Sequence, residues 1–143
     1  MGGAGLSSGE DLVITDIVGT WRLVRAVSRD EHGKELPPAY DGKGLGRIVV
    51  TADGRMAVMM IDGRATVPGG EKREYSGYSG TYTYNGTQLV THVDCAPDPS
   101  RIGTDQVRGV RFENGMMILR PPARQLGAVT EQRELSWERI SEI

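Results

Sequence analysis

His92 and Asp94 stand two residues apart, the spacing at which side chains of a β-strand share a face. An imidazole beside a carboxylate can act as a general base, because the carboxylate orients the ring and raises its basicity. A single strand histidine is more commonly a hydrogen-bonded core or rim residue, so both roles stay open for His92. Arg25 and Arg108 pose a sharper question. A guanidinium cannot shed its charge and is costly to bury without a carboxylate, phosphate or carbonyl partner. Yet Arg25 shares strand parity with Trp21, Leu23 and Val27, and Arg108 with Val110 and Phe112. Such arginines can bind an acidic or enolate-bearing ligand, pair with an inward Asp94 or a backbone carbonyl, or snorkel to solvent. Tyr78 and Tyr82 offer apolar walls with a phenol at the tip, suited to stacking on a planar ligand and donating to a carbonyl, or to filling volume. Ile48, Val50, Met56, Val58 and Met60, together with Val110 and Phe112, read as ligand lining or as ordinary core.

Other motifs carry less. Two histidines, one of them His32 in a polar stretch, and a single cysteine supply too few ligands for a standard catalytic metal site, so neither metal nor cofactor is expected. The run Asp41-Gly42-Lys43-Gly44-Leu45-Gly46 has phosphate-loop glycines but no following helix to aim amides at phosphate, and reads as a loop. Cys95 has no base or helix start beside it and is expected to be a buried, inert thiol. Asn85-Gly86-Thr87 matches a glycosylation acceptor, but residues 1–10 do not read as the export signal that such a modification requires.

These side chains must be positioned by short strands. Asp53-Gly54, Asn85-Gly86 and Asn114-Gly115 sit between β-prone runs, and Xaa-Gly pairs there favour type I′ hairpin turns. The alternation predicts eight strands near residues 19–28, 45–52, 55–62, 75–85, 87–95, 106–113, 116–120 and 132–140, with one short helix over 10–18. Longer, proline-bearing connections fall at 29–44, 63–74, 96–105 and 121–131. The fold class is all-β. Eight antiparallel strands in up-and-down order can close into a barrel wide enough for one small ligand, which also removes aggregation-prone edges.

The composition agrees. The 143 residues suit a single domain, here expected over 11–143 after a flexible tail at 1–10, and such a chain buries roughly 68–70% of its unfolded surface. Seventeen Lys plus Arg against nineteen Asp plus Glu give a net charge of −2, which offers no broad positive field for nucleic acid. One cysteine permits no internal disulfide, and the longest apolar run, Met56 to Ile61, is too short to span a bilayer; a cytoplasmic, non-membrane protein is expected. That run is apolar on both faces, so its outer face is expected to meet a lid or a second subunit, which makes a homodimer an expectation too.

Gly19-Thr20-Trp21 opening the first strand and Trp137-Glu138-Arg139 closing the last resemble the lipocalin arrangement. With Asp53-Gly54-Arg55-Met56, Tyr78-Ser79-Gly80-Thr81-Tyr82, Thr91-His92-Val93-Asp94, Pro99, Gly103 to Arg108 and Leu135 to Arg139, the chain resembles the bacterial and fungal lipocalin-like domain family from about residue 18 to 140. The resemblance implies that Arg139 lies over Trp21 and shuts the barrel floor, a contact a guanidinium can make through cation–π attraction and carbonyl hydrogen bonds. Some similar small barrels act in natural-product pathways as cofactor-free cyclases or isomerases. The leading expectation is therefore a barrel that folds a largely apolar, oxygenated, polyketide-like substrate into a reactive shape. Tyr78, Tyr82, Arg25 or Arg108 would stabilise an oxyanion, His92 with Asp94 would relay a proton, and the 29–44 loop would close as a lid. The alternatives are a non-catalytic carrier or sensor of a small hydrophobic ligand, and a self-filled barrel with a structural or interaction role.

Overall fold

The computed structural model describes residues 16–142, and the expected tail at 1–10 lies outside them. So does most of the helix expected over 10–18; its described part, 16–18, is not helical.

Among the described residues nine strands form: β1 (Gly19–Arg29), β2 (Gly44–Val50), β3 (Arg55–Asp62), β4 (Tyr75–Tyr84), β5 (Gln88–Cys95), β6 (Asp105–Glu113), β7 (Met116–Arg120), β8 (Arg124–Leu126) and β9 (Val129–Ser141). Each pairs antiparallel with its neighbour in the order β1-β2-β3-β4-β5-β6-β7-β9-β8. Pairing of β9 with β1 closes eight of these strands into a barrel. The ninth, β8, is a short arm that pairs with Val129 to Glu131 at the start of β9, within a stretch expected to be loop. Gly127 at φ 59 supplies the left-handed turn between the two.

Turn chemistry sorts the two ends of the barrel. At Asn114-Gly115 both residues take positive φ, 52 and 78, as a type I′ turn requires. The other two turns differ from expectation, with only the glycine positive; Asn85 uses its Oδ1 to accept from the N–H groups of Thr87 and Gln88. These three tight turns share one end. The longer connections, 30–43, 63–74, 96–104 and 121–128, gather at the other, as up-and-down order demands.

At the tight-turn end the interior is solid. Ile17, Trp21, Ile48, Val50, Met56, Leu89, Met117 and Trp137 are buried in one cluster. Trp21 donates its Nε1–H to the Ile17 carbonyl at 3.0 Å. Arg139 lies over the Trp21 ring at 4.5 Å and donates to the Asp16 carbonyl at 2.6 Å. Gly46 is small for a reason: a Cβ there would stand 3.0 Å from both Leu23 and the far edge of the Trp137 indole. Trp137 thus reaches over β1 onto β2.

Two register shifts redirect side chains. Opposite Ser136/Trp137, Leu23 pairs with Trp137 and Arg25 with Ser136, leaving Val24 as the extra residue of a bulge. On β5, Gly80 pairs with Val93 and Ser79 with Cys95, which makes Asp94 the extra residue. A Cβ on Gly80 would meet the His92 carbonyl oxygen at 1.9 Å, so only glycine permits β4 and β5 to approach this closely.

Candidate functional site

Inward-facing positions follow from pairing with buried neighbours, because cross-strand partners share a face. On β6, Arg108 pairs with buried Leu89, so its side chain turns inward together with Val110. On β9, Arg133 shares parity with buried Leu135 and Trp137 and pairs with Ser28. Tyr78, paired with Val58, is buried. Arg101, on the short 3-10 turn Pro99–Arg101 of the 96–104 connection, reaches over the Tyr78 ring at 5.6 Å, while Arg108 stands 5.9 Å from the same ring. Arg101 and Arg108 thus meet over one ring at the loop-bearing end, which we call the mouth, and Arg133 lies close enough to feel the charge of both.

Their compensation is thin. Arg108 donates to the Val107 carbonyl at 2.8 Å and to Gln106 Oε1 at 3.3 Å, and no carboxylate among the described residues hydrogen-bonds it. The Nε of Arg133 is buried with no hydrogen-bond partner among the described residues; its nearest carboxylate oxygen, on Glu131, is 3.9 Å away. Glu131 is already engaged, accepting from the Ser28 hydroxyl and from Arg124 Nε at 2.6 Å. Burial raises its carboxyl pKa, but those donors outweigh burial and leave it below the ordinary value. Burial pushes both Arg108 and Arg133 below the usual guanidinium range, reinforced at Arg133 by Arg124 and at Arg108 by Arg101. Burial likewise raises the Tyr78 phenol, partly offset by Arg108 and Arg101.

Around this cluster the wall is apolar and reachable. Ile48, Val50 and Met56 are buried at the tight-turn end, whereas Val58 and Met60, further along β3, are only half-buried although they face the same interior. Leu23 is half-buried, and Ala26, paired with inward Leu135, is exposed. Water therefore still touches inward side chains away from the tight-turn end. Depressions of about 140 Å³ at Tyr75, Gly77, Pro97 and Arg101 and about 350 Å³ at Asp16, Val18, Gly54 and Tyr82 lie at the mouth and at the opposite end.

One side of the mouth is strapped. Asp62, 1% exposed, accepts from Arg64 Nε and Nη2 at 3.0 and 2.8 Å, and Arg73 donates to the carbonyls of Asp62 and Arg64 at 2.7 Å each. Tyr40 donates to Glu74 across the two loops and lies under Arg64, its phenol pushed up to about 12, first by burial and then by Glu74.

Several expected site residues stand elsewhere. The β1 bulge turns Arg25 to the outer surface, where it is exposed, and Val27 pairs with Glu134 rather than continuing the inner face. His92 and Asp94 are on the outer wall, since Leu89, Thr91 and Val93 are the buried alternation of β5. They do not pair: His92 Nδ1 lies 2.9 Å from Asp105, and Asp94 accepts from Arg55 at 2.7 Å. The Arg55 guanidinium holds the Asp94 carboxyl below its ordinary range. Tyr82 donates to the Thr51 carbonyl at 2.9 Å by the tight turns, away from the mouth. Cys95, expected buried, is exposed on the outer side of the second bulge. Phe112 is half-buried beside Met117, next to the tight turn that follows β6. Arg133, Arg101 and Glu131 were missed, although Arg133 is legible by its parity with Leu135 and Trp137.

An eight-stranded up-and-down barrel, with an arginine of the last strand capping a tryptophan of the first and long loops around an open mouth, defines a lipocalin-type domain. A model of the lipocalin-like domain family matches residues 18–140, and the chain belongs to that family. No curated protein and no solved structure matches it. Among the described residues, no helix is long and apolar enough to cross a membrane.

Proposed function

We propose that the barrel binds a small, largely apolar, oxygenated molecule at its mouth, as a carrier or sensor. The observation that carries this reading is the solvent access of inward Leu23, Ala26, Val58 and Met60, beside Tyr78 and Arg108, above a solid floor. A neutral apolar dye, N-phenyl-1-naphthylamine, tests it. Its fluorescence should rise on addition of the protein and fall back with Ala26→Trp, which fills the opening. No enhancement would mean that the barrel is filled by its own side chains, and enhancement that survives the substitution would place the dye outside the mouth.

Cofactor-free cyclisation or isomerisation is a second reading, favoured by one feature. Tyr78 and Arg108 are an electrophilic pair able to stabilise an enolate oxygen. The proton relay expected from His92 and Asp94 does not serve it, since both sit on the outer wall. Incubation with a polyketide-like precursor should then give an isomer of unchanged mass, lost with Arg108→Gln and retained with His92→Ala. Binding without product supports the carrier.

A separate expectation concerns the outer face of β2, β3 and β4. Leu45, Met59 and Tyr75 are exposed there, and self-association through them is checked by sedimentation of the protein and a Leu45→Lys variant.

A further inference from the structure

Elsewhere in the barrel several arginines meet carboxylates. Arg22 meets Glu138 at 2.7 Å, Arg55 meets Asp94 at 2.7 Å, Arg64 meets Asp62 and Glu71, and Arg111 meets Glu113 and Glu134. Around Tyr78 the pattern fails: among the described residues Arg101 and Arg108 make no carboxylate pair and Arg133 only the 3.9 Å contact with Glu131. Arg25, Arg47 and Arg120, also without one, are exposed, and Arg73 and Arg139 donate to backbone carbonyls instead. Arg101, Arg108 and Arg133 face two carboxylates in their surroundings, and both are committed. Glu131 is held by Ser28 and Arg124, and Asp98 accepts from the N–H and hydroxyl of Ser100 at 3.0 and 2.7 Å. With Arg124 counted, four cations stand against two acids in a protein whose overall charge is −2.

A surplus of like charge at a half-buried site costs stability, and a guanidinium cannot escape by losing its proton. A buried Nε–H without an acceptor adds to that cost. Guanidinium forks are shaped for planar oxyanions, and the neighbouring Tyr78, Val58 and Met60 offer an aromatic and an aliphatic wall.

We propose that the ligand of this site is an anion: a carboxylate on an apolar or planar body, its oxygens held by Arg108 and Arg133 with Arg101 closing from the loop above Tyr78. This deepens the reading of a mouth-binding barrel and rests on it. The carboxylate replaces the missing acceptor of Arg133 and neutralises the surplus, so part of its affinity comes from relief of repulsion already present in the empty protein.

Calorimetric titration of the full chain tests the charge apart from the cavity. The probes share one apolar body and differ in the head group: 1-naphthoate, 1-naphthalenemethanol and 1-naphthylmethylammonium, with inorganic phosphate as an anion lacking the body. Naphthoate should bind about tenfold or more tightly than the alcohol, and the ammonium most weakly of the three. The preference should shrink to within about threefold in Arg133→Gln and in Arg108→Gln, because naphthoate loses far more affinity than the alcohol. Arg101→Gln, on the loop, should weaken naphthoate without altering the barrel, which guards against a folding defect in the other two.

Equal affinity for naphthoate and alcohol would overturn the anion assignment and leave apolar binding standing. Phosphate binding as tightly as naphthoate would overturn the apolar body. A naphthoate preference untouched by all three substitutions would place the anion elsewhere and overturn the site. Failure of every naphthyl probe would overturn both readings.

Discussion

The two ends of the barrel treat the same side chain in opposite ways. At the tight-turn end Arg139 rests on the Trp21 ring at 4.5 Å and donates to the Asp16 carbonyl, a sealed floor in which aromatic and guanidinium groups supply each other's contacts. At the mouth Arg101 and Arg108 lie over the Tyr78 ring, and both add to the positive charge felt by Arg133. Both kinds of arginine leave a buried Nε unpartnered, at Arg139 as at Arg133. The difference is therefore one of charge: the floor has a single cation over a π-face, and the mouth has several that repel. A cation that closes a core stabilises the empty protein, and a cluster that waits for an anion does not.

The largest effect should come from the floor itself. Trp137→Ala removes the buried indole that reaches over β1 to Gly46 and should cost about 3–5 kcal/mol, read as a lowered urea midpoint. Met60→Ala, near the mouth and only half-buried, should cost well under half as much, about 1 kcal/mol. Equal losses would erase the distinction between a packed floor and an open mouth.

Much of this arrangement was legible in the residues. Asp53-Gly54, Asn85-Gly86 and Asn114-Gly115 mark the tight turns, and the prolines mark the long connections. The closing pair, Trp21 and Arg139, came from resemblance. Alternation failed where the strand is interrupted: nothing in Leu23-Val24-Arg25 announces the bulge that carries Arg25 outward, because a bulge is fixed by what β9 offers opposite it. Gly80 does signal the second bulge, since a Cβ there collides with β5 backbone, but only once β5 is known to lie against it. His92 is another matter. Leu89 and Val93 bracket it at odd positions, and the apolar alternation already places an even-numbered histidine outside. The arginine cluster was half-visible: Arg108 by parity, and Arg133 by the same rule, whereas Arg101 comes from a loop whose path no periodicity encodes.

Arg139→Met should destabilise by roughly 1–3 kcal/mol, the combined loss of the ring contact and the hydrogen bond to Asp16, measured by equilibrium unfolding. No loss would show that the floor does not need its cation.

The strapped side of the mouth gives a pH signature. Hydrogen bonding from Arg64 lowers the Asp62 pKa, against the opposing effect of burial. A carboxyl depressed in the folded state contributes stability that is present above its unfolded pKa, about 3.9, and is lost as pH falls through the lower folded value. Melting temperatures of the protein and of Asp62→Asn should therefore differ most near neutrality and converge in acid. Parallel curves would mean that this ion pair does not hold the rim.

The most direct test takes the smallest effect. In the ligand-free protein Arg133→Met removes one member of the repelling cluster while keeping the apolar stem, and stability should rise by roughly 0.5–1 kcal/mol after allowance for the exposed part of the side chain. Urea unfolding beside Arg139→Met should give shifts of opposite sign. If Arg133→Met instead destabilises the empty barrel as Arg139→Met does, the mouth arginines are structural, and the account of a charge cluster held ready for an anion is wrong.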